Sequence, residues 1–399
     1  MLNKDNQREL AYVVKIDAIE PIVGSDNCEA AVVGGWKIMV RKNTFQPNDL
    51  AIYFEIDSHV DTTKPEFAFL EKKHGNIKTQ KYTFGGKNPG FYSQGLLMSA
   101  EDFGWDSLTE GEFLTEKLGV TYAVAEDNKR KAKNNPDAKI NAVLARHPKF
   151  AKKYGKVVKN NKFLRWFFIL IWGKKKDNRN WIPGVPKTDE ERIENRAWTL
   201  EDQITEWIAT EKIDGTSTTF YLNRGKAFTK PEFLVCSRNV VFDTPAKADR
   251  NFYQDSIGNV YLEMAGKYNM QTVLQKLLEN RPSAEWIAVQ AETFGQGVQK
   301  RDYGMKDHEI RAFNLLYSDC GRVGTLEMRD VLEPLGVPVV PIISEGMTLP
   351  GSIDELRAFV HSAPSAIDGG MKEGIVFRTL DGKDSFKCVD PEFLVKYHQ

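Results

Sequence analysis

Hydrophobic and polar positions follow a strand-like pattern over the first third of the chain. Residues 12–16, 36–40 and 50–54 are short apolar runs, and the turn-forming stretches 24–27 and 46–49 lie between them. Short strands separated by turns at close spacing are typical of a small barrel or sandwich. The pattern therefore predicts a β-rich module over residues 1–118.

In the C-terminal half, strand-like runs alternate with helical ones. The strand-like runs are residues 207–210, 217–222, 286–291, 311–316 and 374–378, and the helical runs are residues 271–278 and 326–335. Strands and helices segregated in this way, with many hairpin turns, indicate an α+β domain rather than a parallel doubly wound sheet. We assign this domain to residues 198–399.

Between these two parts, the segment 119–197 carries an unusual charge. From Ala125 to Lys176 there are 16 Lys or Arg residues and three acidic ones, whereas the remainder has 39 basic and 52 acidic residues. A block near +13 indicates a nucleic-acid contact, and it is equally compatible with a solvated connector. The candidate phosphate contacts are Lys129, Lys131, Lys133, Lys152, Lys153, Lys174, Lys175 and Lys176.

Two helical stretches are predicted inside this segment, an amphipathic one over residues 137–154 and an apolar one over residues 163–172. The apolar stretch is far shorter than the roughly 18–20 residues needed to cross a bilayer. By its length we expect it to be buried, and its basic flanks leave a peripheral membrane contact as the alternative.

The cysteines and histidines give no sign of a metal site or a disulfide framework. Cys28, Cys236, Cys320 and Cys388 lie far apart, and the six histidines are scattered. This usage fits a reducing compartment, and the first ten residues have no apolar signal-peptide core. We expect a monomeric cytoplasmic or nuclear protein that is not secreted.

The sharpest local motif is Glu211-Lys212-Ile213-Asp214-Gly215, at the end of an apolar strand. The two-residue period of a strand places Lys212 and Asp214 on the same side, and Gly215 permits a tight turn or a close approach to a ligand. An unprotonated lysine amine can attack phosphorus, so we expect a site that lowers the pKa of Lys212. A structural ion pair before a turn is the alternative reading.

Further motifs follow in a fixed order: Ser237-Arg238-Asn239, Ala291-Glu292-Thr293-Phe294-Gly295, Arg311-Ala312-Phe313-Asn314, Lys372-Glu373-Gly374 and Phe386-Lys387. Together with the Lys212 motif, this order resembles the covalent nucleotidyltransferase superfamily of DNA ligases, RNA ligases and mRNA capping enzymes. These motifs are most similar to those of RNA ligases of the RNA ligase 2-like and RNA ligase 5-like groups. The resemblance covers residues 198–399.

The N-terminal module is similar to the OB module that precedes the catalytic domain in the RNA ligase 5-like group. The similarity rests on residues 24–27, 35–37, 51–57 and 93–96. Only 12 residues follow Lys387, whereas DNA ligases and capping enzymes carry an OB domain after that motif. The implied fold class is α+β, with an N-terminal OB-type β-barrel, a basic connector or insertion (119–197) and a nucleotidyltransferase domain with ATP-grasp-like antiparallel sheets.

The resemblance implies an ATP-dependent RNA ligase that joins RNA 3′-hydroxyl and 5′-phosphate ends through lysyl-AMP. Lys212 is then the nucleophile, and Asp214 and Lys387 are the other expected catalytic groups. The remaining nucleotide contacts are implied at Glu211, Ile213, Gly215, Arg238, Glu292, Phe313 and Glu373. Mg²⁺ or Mn²⁺ is expected at Asp214, Glu292 and Glu373 through bound waters.

The sequence departs from the family pattern near the last motif. Related ligases have a lysine two places before the residue that is Lys387 here, and this chain has Ser385. We expect Lys383 to substitute from a shifted loop. The alternatives to an RNA ligase are an ATP-dependent DNA ligase, a GTP-dependent capping nucleotidyltransferase and a non-catalytic nucleic-acid-binding protein.

Overall fold

The computed structural model describes residues 1, 8–84, 90–122, 140, 144, 148–172, 181–225, 231–242 and 259–398. Six of the lysines predicted to contact phosphate lie outside the described residues: Lys129, Lys131, Lys133, Lys174, Lys175 and Lys176. None of the helices in the described part is long and apolar enough to cross a membrane.

The N-terminal module consists of antiparallel strands in small sheets ordered β1-β5-β10, β2-β3-β4, β11-β6-β7 and β8-β9. The strands are β1 (Ala11–Lys15), β2 (Ala18–Pro21), β3 (Cys28–Val33), β4 (Trp36–Arg41), β5 (Leu50–Phe54), β6 (Ser58–His59), β7 (Asn76–Ile77), β8 (Gln80–Tyr82), β9 (Phe91–Ser93), β10 (Leu96–Met98) and β11 (Thr121–Tyr122).

Strand β1 is buried on both faces, which explains its continuous apolar run. Tyr12 and Val14 pack in one core with Trp36, while Ala11 and Val13 pack in a second core on the opposite face. Successive side chains of a strand point to opposite faces, so a strand between two cores needs apolar residues at every position.

The C-terminal part contains two antiparallel sheets, a six-stranded one ordered β15-β14-β13-β16-β17-β18 and a four-stranded one ordered β19-β12-β20-β21. Their strands are β12 (Trp207–Lys212), β13 (Thr216–Asn223), β14 (Glu232–Cys236), β15 (Val241–Phe242), β16 (Trp286–Gly295), β17 (His308–Tyr317), β18 (Gly321–Arg322), β19 (Ile342–Met347), β20 (Gly374–Thr379) and β21 (Ser385–Val389). The chain passes from the small sheet to the large one at residues 213–215, immediately after Lys212.

Helices cover these sheets and the N-terminal module. The α-helices are α1 (Thr115–Leu118), α2 (Pro148–Asn160), α3 (Lys162–Trp172), α4 (Val260–Lys267), α5 (Met270–Glu279), α6 (Thr325–Leu332), α7 (Ile353–Ser362) and α8 (Pro391–Tyr397). Short 3-10 helices span Pro65–Lys73, Glu101–Phe103, Ile193–Glu201 and Glu333–Leu335. Helices α4, α5 and α6 contribute to the largest hydrophobic core, which lies on the six-stranded sheet.

The two modules contact each other through buried polar groups. Trp36 Nε1 donates a hydrogen bond to Asn195 Oδ1 at 2.6 Å, and Arg357 donates to Gln94 Oε1 at 2.6 Å and to Glu194 Oε1 at 2.9 Å. Buried polar groups need such partners, so these contacts fix the N-terminal module against helix α7 and the 3-10 helix Ile193–Glu201.

Helices α2 and α3 form an antiparallel hairpin, and here one expectation is wrong. The apolar stretch 163–172 is helical, but Phe163, Trp166, Phe167 and Ile171 are exposed rather than buried. The apolar character of the stretch indicated burial. Helix α2 covers only one face of helix α3, so the apolar side chains on the other face remain exposed.

Candidate active site

Lys212 ends strand β12 and projects into a pocket of about 300 Å³ between the two sheets. Its Nζ donates a hydrogen bond to Glu373 Oε2 at 2.7 Å. Burial lowers the pKa of Lys212, but Glu373, Glu292 and Asp214 raise it, and the net pKa is raised. The expectation of a lowered pKa is therefore wrong for the ligand-free protein, because three nearby carboxylates outweigh the loss of hydration.

Asp214 follows at the turn between strands β12 and β13 and is 4% exposed. Its backbone N–H donates to the Tyr303 hydroxyl at 2.7 Å, and its Oδ1 lies 3.4 Å from His398 Nε2. The other carboxylate oxygen, Oδ2, is buried without a hydrogen-bond partner. Such an oxygen is costly to bury, so it indicates a place for a bound water or cation.

Gly215 allows the turn after Asp214 to approach strand β16. A side chain at this position would fall on the carbonyl oxygen of Thr293, so only glycine fits. The turn thereby sets the register in which Ser217 on strand β13 lies opposite Glu292 on strand β16. The local sequence thus brings the carboxylate of Glu292 toward Lys212.

Glu292 and Glu373 come from different sheets and complete an acidic group around Lys212. Burial, helped by the charges of Glu373 and Asp214 and opposed by that of Lys212, raises the pKa of Glu292 to about 8. Three carboxylates face one amine, so the pocket favours an additional cation. In the described part of the chain, no group of three or more His, Cys, Asp or Glu residues forms a direct metal cluster.

The adjoining wall of the pocket is partly aromatic. Phe313 lies on strand β17, is half-buried and packs with Ile213, Phe294 and Tyr303 in a small hydrophobic cluster. Phe313 also lines the pocket, so its remaining face is available to a planar ligand. Ile213 is 3% exposed and supports this wall from inside the cluster.

Cationic groups also line the pocket. Arg238 binds Asp189 at 2.5 Å and lies 5.7 Å from the centre of the Tyr122 ring. Lys387 on strand β21 is 8% exposed; burial, together with the charges of Arg8, Arg192 and Lys212, lowers its pKa to about 7. An anionic ligand would relieve this repulsion, so the pocket is suited to phosphate.

Lys383 does not take the place of the lysine that Ser385 replaces. Its side chain is 84% exposed and pairs with Asp381 at 2.9 Å, so that expectation is wrong. The Ser385 hydroxyl instead donates to Glu190 Oε2 at 2.5 Å, and Glu190 accepts from Arg378 at 2.9 Å. Arg378 is buried and lines the pocket, so it supplies the positive charge on this side.

The carboxylate of Glu211 turns away from the other acids. Its Oε1 accepts from the Ser365 hydroxyl at 2.5 Å and its Oε2 accepts from the Ala366 backbone at 2.7 Å. Arg301 holds the same loop through Asp368 at 2.5 Å and through the Met371 carbonyl. These contacts fix the loop that leads into Glu373.

All ten residues predicted to bind the nucleotide or to act in catalysis line this one pocket. They are Glu211, Lys212, Ile213, Asp214, Gly215, Arg238, Glu292, Phe313, Glu373 and Lys387. Sequence reasoning missed other groups at or beside it: Thr188, Asp189, Glu190, Arg192, Tyr303, Arg378 and His398. Of these, only Arg378 lies within a run that the sequence analysis identified, the strand-like run 374–378.

Tyr303→Phe is expected to lower the free energy of unfolding by about 1–3 kcal/mol, the cost of an unsatisfied buried donor. The hydroxyl of Tyr303 is the acceptor for the buried Asp214 N–H, and the substitution removes it. The ring, which packs on Phe294 with a centroid distance of 5.2 Å, is retained. Denaturant unfolding measures the effect. An unchanged free energy of unfolding would show that this hydrogen bond does not stabilise the turn at Asp214.

Comparison with known proteins agrees with this architecture. Residues 205–398 match the family model described as RNA ligase, and residues 10–99 match a model described as an OB-fold domain. No curated protein matches the chain.

Solved structures of Naegleria gruberi RNA ligase are similar to this chain. The structure with PPi has 23% identity and a TM-score of 0.71, and the match covers 98% of this chain and 99% of that chain. A variant with ATP and Mn has 24% identity and a TM-score of 0.70, covering 98% and 100%. The predicted α+β fold class, an OB-type barrel followed by a nucleotidyltransferase domain, is confirmed.

Proposed function

We propose that this enzyme, whose residues 205–398 match the family model described as RNA ligase, uses ATP to join an RNA 3′-hydroxyl to a 5′-phosphate. The observation that carries the proposal is the position of the Lys212 amine. It lies in a pocket of about 300 Å³ that is lined both by acidic groups and by Lys387, Arg238 and Arg378. A triphosphate needs both kinds of neighbour, since a divalent cation accompanies it and its oxygens need direct cationic contacts.

In the first step Lys212 Nζ attacks the α-phosphorus of ATP. The new N–P bond forms as the bond between the α-phosphorus and its bridging oxygen breaks, and pyrophosphate leaves. The amine must lose a proton, and the Glu373 carboxylate, 2.7 Å from Nζ, is placed to accept it. The product is a lysyl-AMP phosphoramidate.

In the later steps the adenylate moves to RNA. A 5′-phosphate oxygen of one RNA end attacks the phosphorus of lysyl-AMP and releases the Lys212 amine, giving an RNA-adenylate. The 3′-hydroxyl of the other end then attacks the 5′-phosphate phosphorus, and AMP leaves. These are phosphoryl-type transfers, in which positioning and charge neutralisation dominate.

Other residues that line the pocket have distinct roles in this scheme. Phe313 stacks on adenine, and Glu292 accepts a hydrogen bond from the ribose. Arg238 and Lys387 contact phosphate oxygens. These assignments rest on the position of each side chain at the pocket wall and on the family resemblance, and each is open to substitution at a single residue.

The acidic group also fits a divalent cation. The unpartnered Oδ2 of Asp214 is a buried oxygen that this arrangement leaves without a donor or a cation. Asp214, Glu292 and Glu373 would hold Mg²⁺ or Mn²⁺ through waters, since hard oxygen ligands suit these ions. The cation would neutralise charge on the phosphate during transfer. The Naegleria gruberi RNA ligase variants were solved with ATP and Mn.

Incubation of the protein with labelled ATP or labelled GTP, followed by a denaturing gel, tests the nucleotide. Label from ATP alone is the expected result, and label from GTP alone would indicate a capping enzyme instead. Sealing is then measured on nicked duplexes and single strands with RNA or DNA on each side of the break. Sealing only of DNA on both sides would contradict an RNA substrate, and no label from either nucleotide would contradict catalysis through Lys212.

A further inference from the structure

The hairpin of helices α2 and α3 exposes a continuous aromatic surface. Phe163 and Trp166 are 66% and 58% exposed, and the centroids of their rings are 6.0 Å apart. Phe167 lies 6.3 Å from Phe163 and is also exposed. Residues at i, i+3 and i+4 share one face of a helix, so the three rings form one platform, which we call the hairpin face.

The hairpin has its own interior, so the hairpin face is not needed to hold it together. Val158 is 1% exposed and packs with Ile140 and Leu144. The Phe150 and Phe168 rings join this cluster at a centroid distance of 4.9 Å. Large aromatic side chains that are kept on the surface beside a satisfied core indicate a binding surface rather than a packing requirement.

The charge around the hairpin face has a single sign. Residues 148–172 contain seven Lys or Arg residues and no Asp or Glu. Lys153, Lys156 and Lys162 are exposed, and Lys153 Nζ lies 5.2 Å from the centre of the Tyr154 ring. A protein of zero formal net charge has therefore concentrated positive charge on the two helices that carry the three adjacent rings.

We propose that the hairpin face binds single-stranded RNA, with bases stacked on Phe163 and Trp166 and phosphates contacted by the lysines of the same hairpin. Stacking on aromatic rings inside a basic surface is how single strands are held without sequence preference. This inference rests on the proposed function, because a strand to be sealed is the polyanion that the enzyme must retain. The hairpin gives it a second contact outside the catalytic pocket.

The combined variant Phe163→Ala/Trp166→Ala tests the stacking. Binding of a fluorescently labelled single-stranded RNA with a 5′-phosphate is followed by anisotropy. We expect binding at least about 30-fold weaker than that of the unmodified protein, since stacking contributes about 1–3 kcal/mol per base and two stacking rings are removed. The matched control is Trp198→Ala/Ile204→Ala, which removes two side chains that are 62% and 90% exposed outside the hairpin. We expect no change in the control.

The variant Lys153→Ala/Lys156→Ala/Lys162→Ala tests the charge. The slope of the logarithm of affinity against the logarithm of salt concentration is expected to flatten by about 2, because each lost phosphate contact removes about 0.7 on single strands. Lys276→Ala/Lys306→Ala removes two exposed lysines outside both the hairpin and the N-terminal module and serves as the charge control. Thermal unfolding identifies any variant that has lost its fold, and the single change Trp166→Ala then replaces it.

Three results would overturn the inference. If both hairpin variants bound RNA as tightly as their controls, neither the rings nor the lysines of the hairpin would contribute to RNA binding. Binding to anionic lipid vesicles that is lost in the aromatic variant, with RNA binding retained, would make the hairpin face a membrane contact. A concentration-dependent dimer that the aromatic variant dissociates would make it a self-association surface. Failure of the proposed function would be recognised separately, because ATP would then not label the protein, whatever its affinity for RNA.

Discussion

Lys212→Ala is expected to abolish covalent labelling by ATP and to slow ATP-dependent RNA sealing at least about a thousandfold, as loss of a nucleophile does in other covalent enzymes. RNA that is already adenylated at its 5′ end does not need the amine as nucleophile. We therefore expect the variant to retain measurable sealing of pre-adenylated RNA. Sealing rates on both substrates, together with a labelling gel, measure this difference.

Lys212→Arg is the matched variant for structure. It keeps a positive charge beside Glu373, so it should unfold at nearly the temperature of the unmodified protein, yet a guanidinium remains protonated and cannot attack phosphorus. Lys306→Ala, an exposed lysine outside the pocket, should leave labelling unchanged. Normal sealing of 5′-phosphate ends by Lys212→Ala with ATP would refute the assignment of the nucleophile.

The raised pKa of Lys212 bears on how the reaction begins. The charges of Glu373, Glu292 and Asp214 raise the pKa of Lys212 and so favour the protonated amine. A cation that compensates these carboxylates would remove the interaction that keeps the proton on Lys212. Binding of nucleotide and metal would thus activate the amine. The sequence could suggest the three acidic residues. It could not show whether their effect on the pKa of Lys212 outweighs that of burial, because this depends on their distances from the amine.

The β-strands and the order of the motifs could be read from the chain because both are periodic or local signals. The run 207–210 became strand β12, and the run 374–378 became strand β20, its antiparallel partner. Pairing of these strands brings Lys212 opposite Gly374, next to Glu373. Residues that are 161 positions apart therefore meet because each ends or begins a strand in the same sheet.

Contacts made from loops and from helix ends carry no such signal. Tyr303 supports Asp214 from a loop with a left-handed backbone (φ 56°), and His398 reaches Asp214 from the end of helix α8. Neither position has a periodic pattern or a motif in the sequence. The exposure of Trp166 could not be predicted either, since an apolar run gives the same pattern whether it faces a core or a ligand.

Lys387→Met is expected to stabilise the ligand-free protein while it impairs sealing. The pKa of Lys387 is lowered from 10.5 to about 7, chiefly by burial. The folded protein therefore binds this proton less tightly than the unfolded chain, so the charge is a destabilising feature that is fully present below about pH 7 and is relieved as pH rises toward 10.5. Removing it should raise the free energy of unfolding at pH 6–7 by an amount on the order of a few kcal/mol.

The same variant should lose about a hundredfold or more in sealing rate, because the cation that faces the phosphates is gone. Denaturant unfolding at pH 6, 7 and 9 measures the stability, and the gain should shrink at the highest pH. Lys383→Met, whose side chain is 84% exposed, should change neither quantity. A less stable Lys387→Met protein that seals normally would show that Lys387 is structural. A more stable Lys387→Met protein that seals poorly would show that the folded state tolerates an unfavourable buried charge, and that the compensating partner of this charge is the phosphate of the substrate.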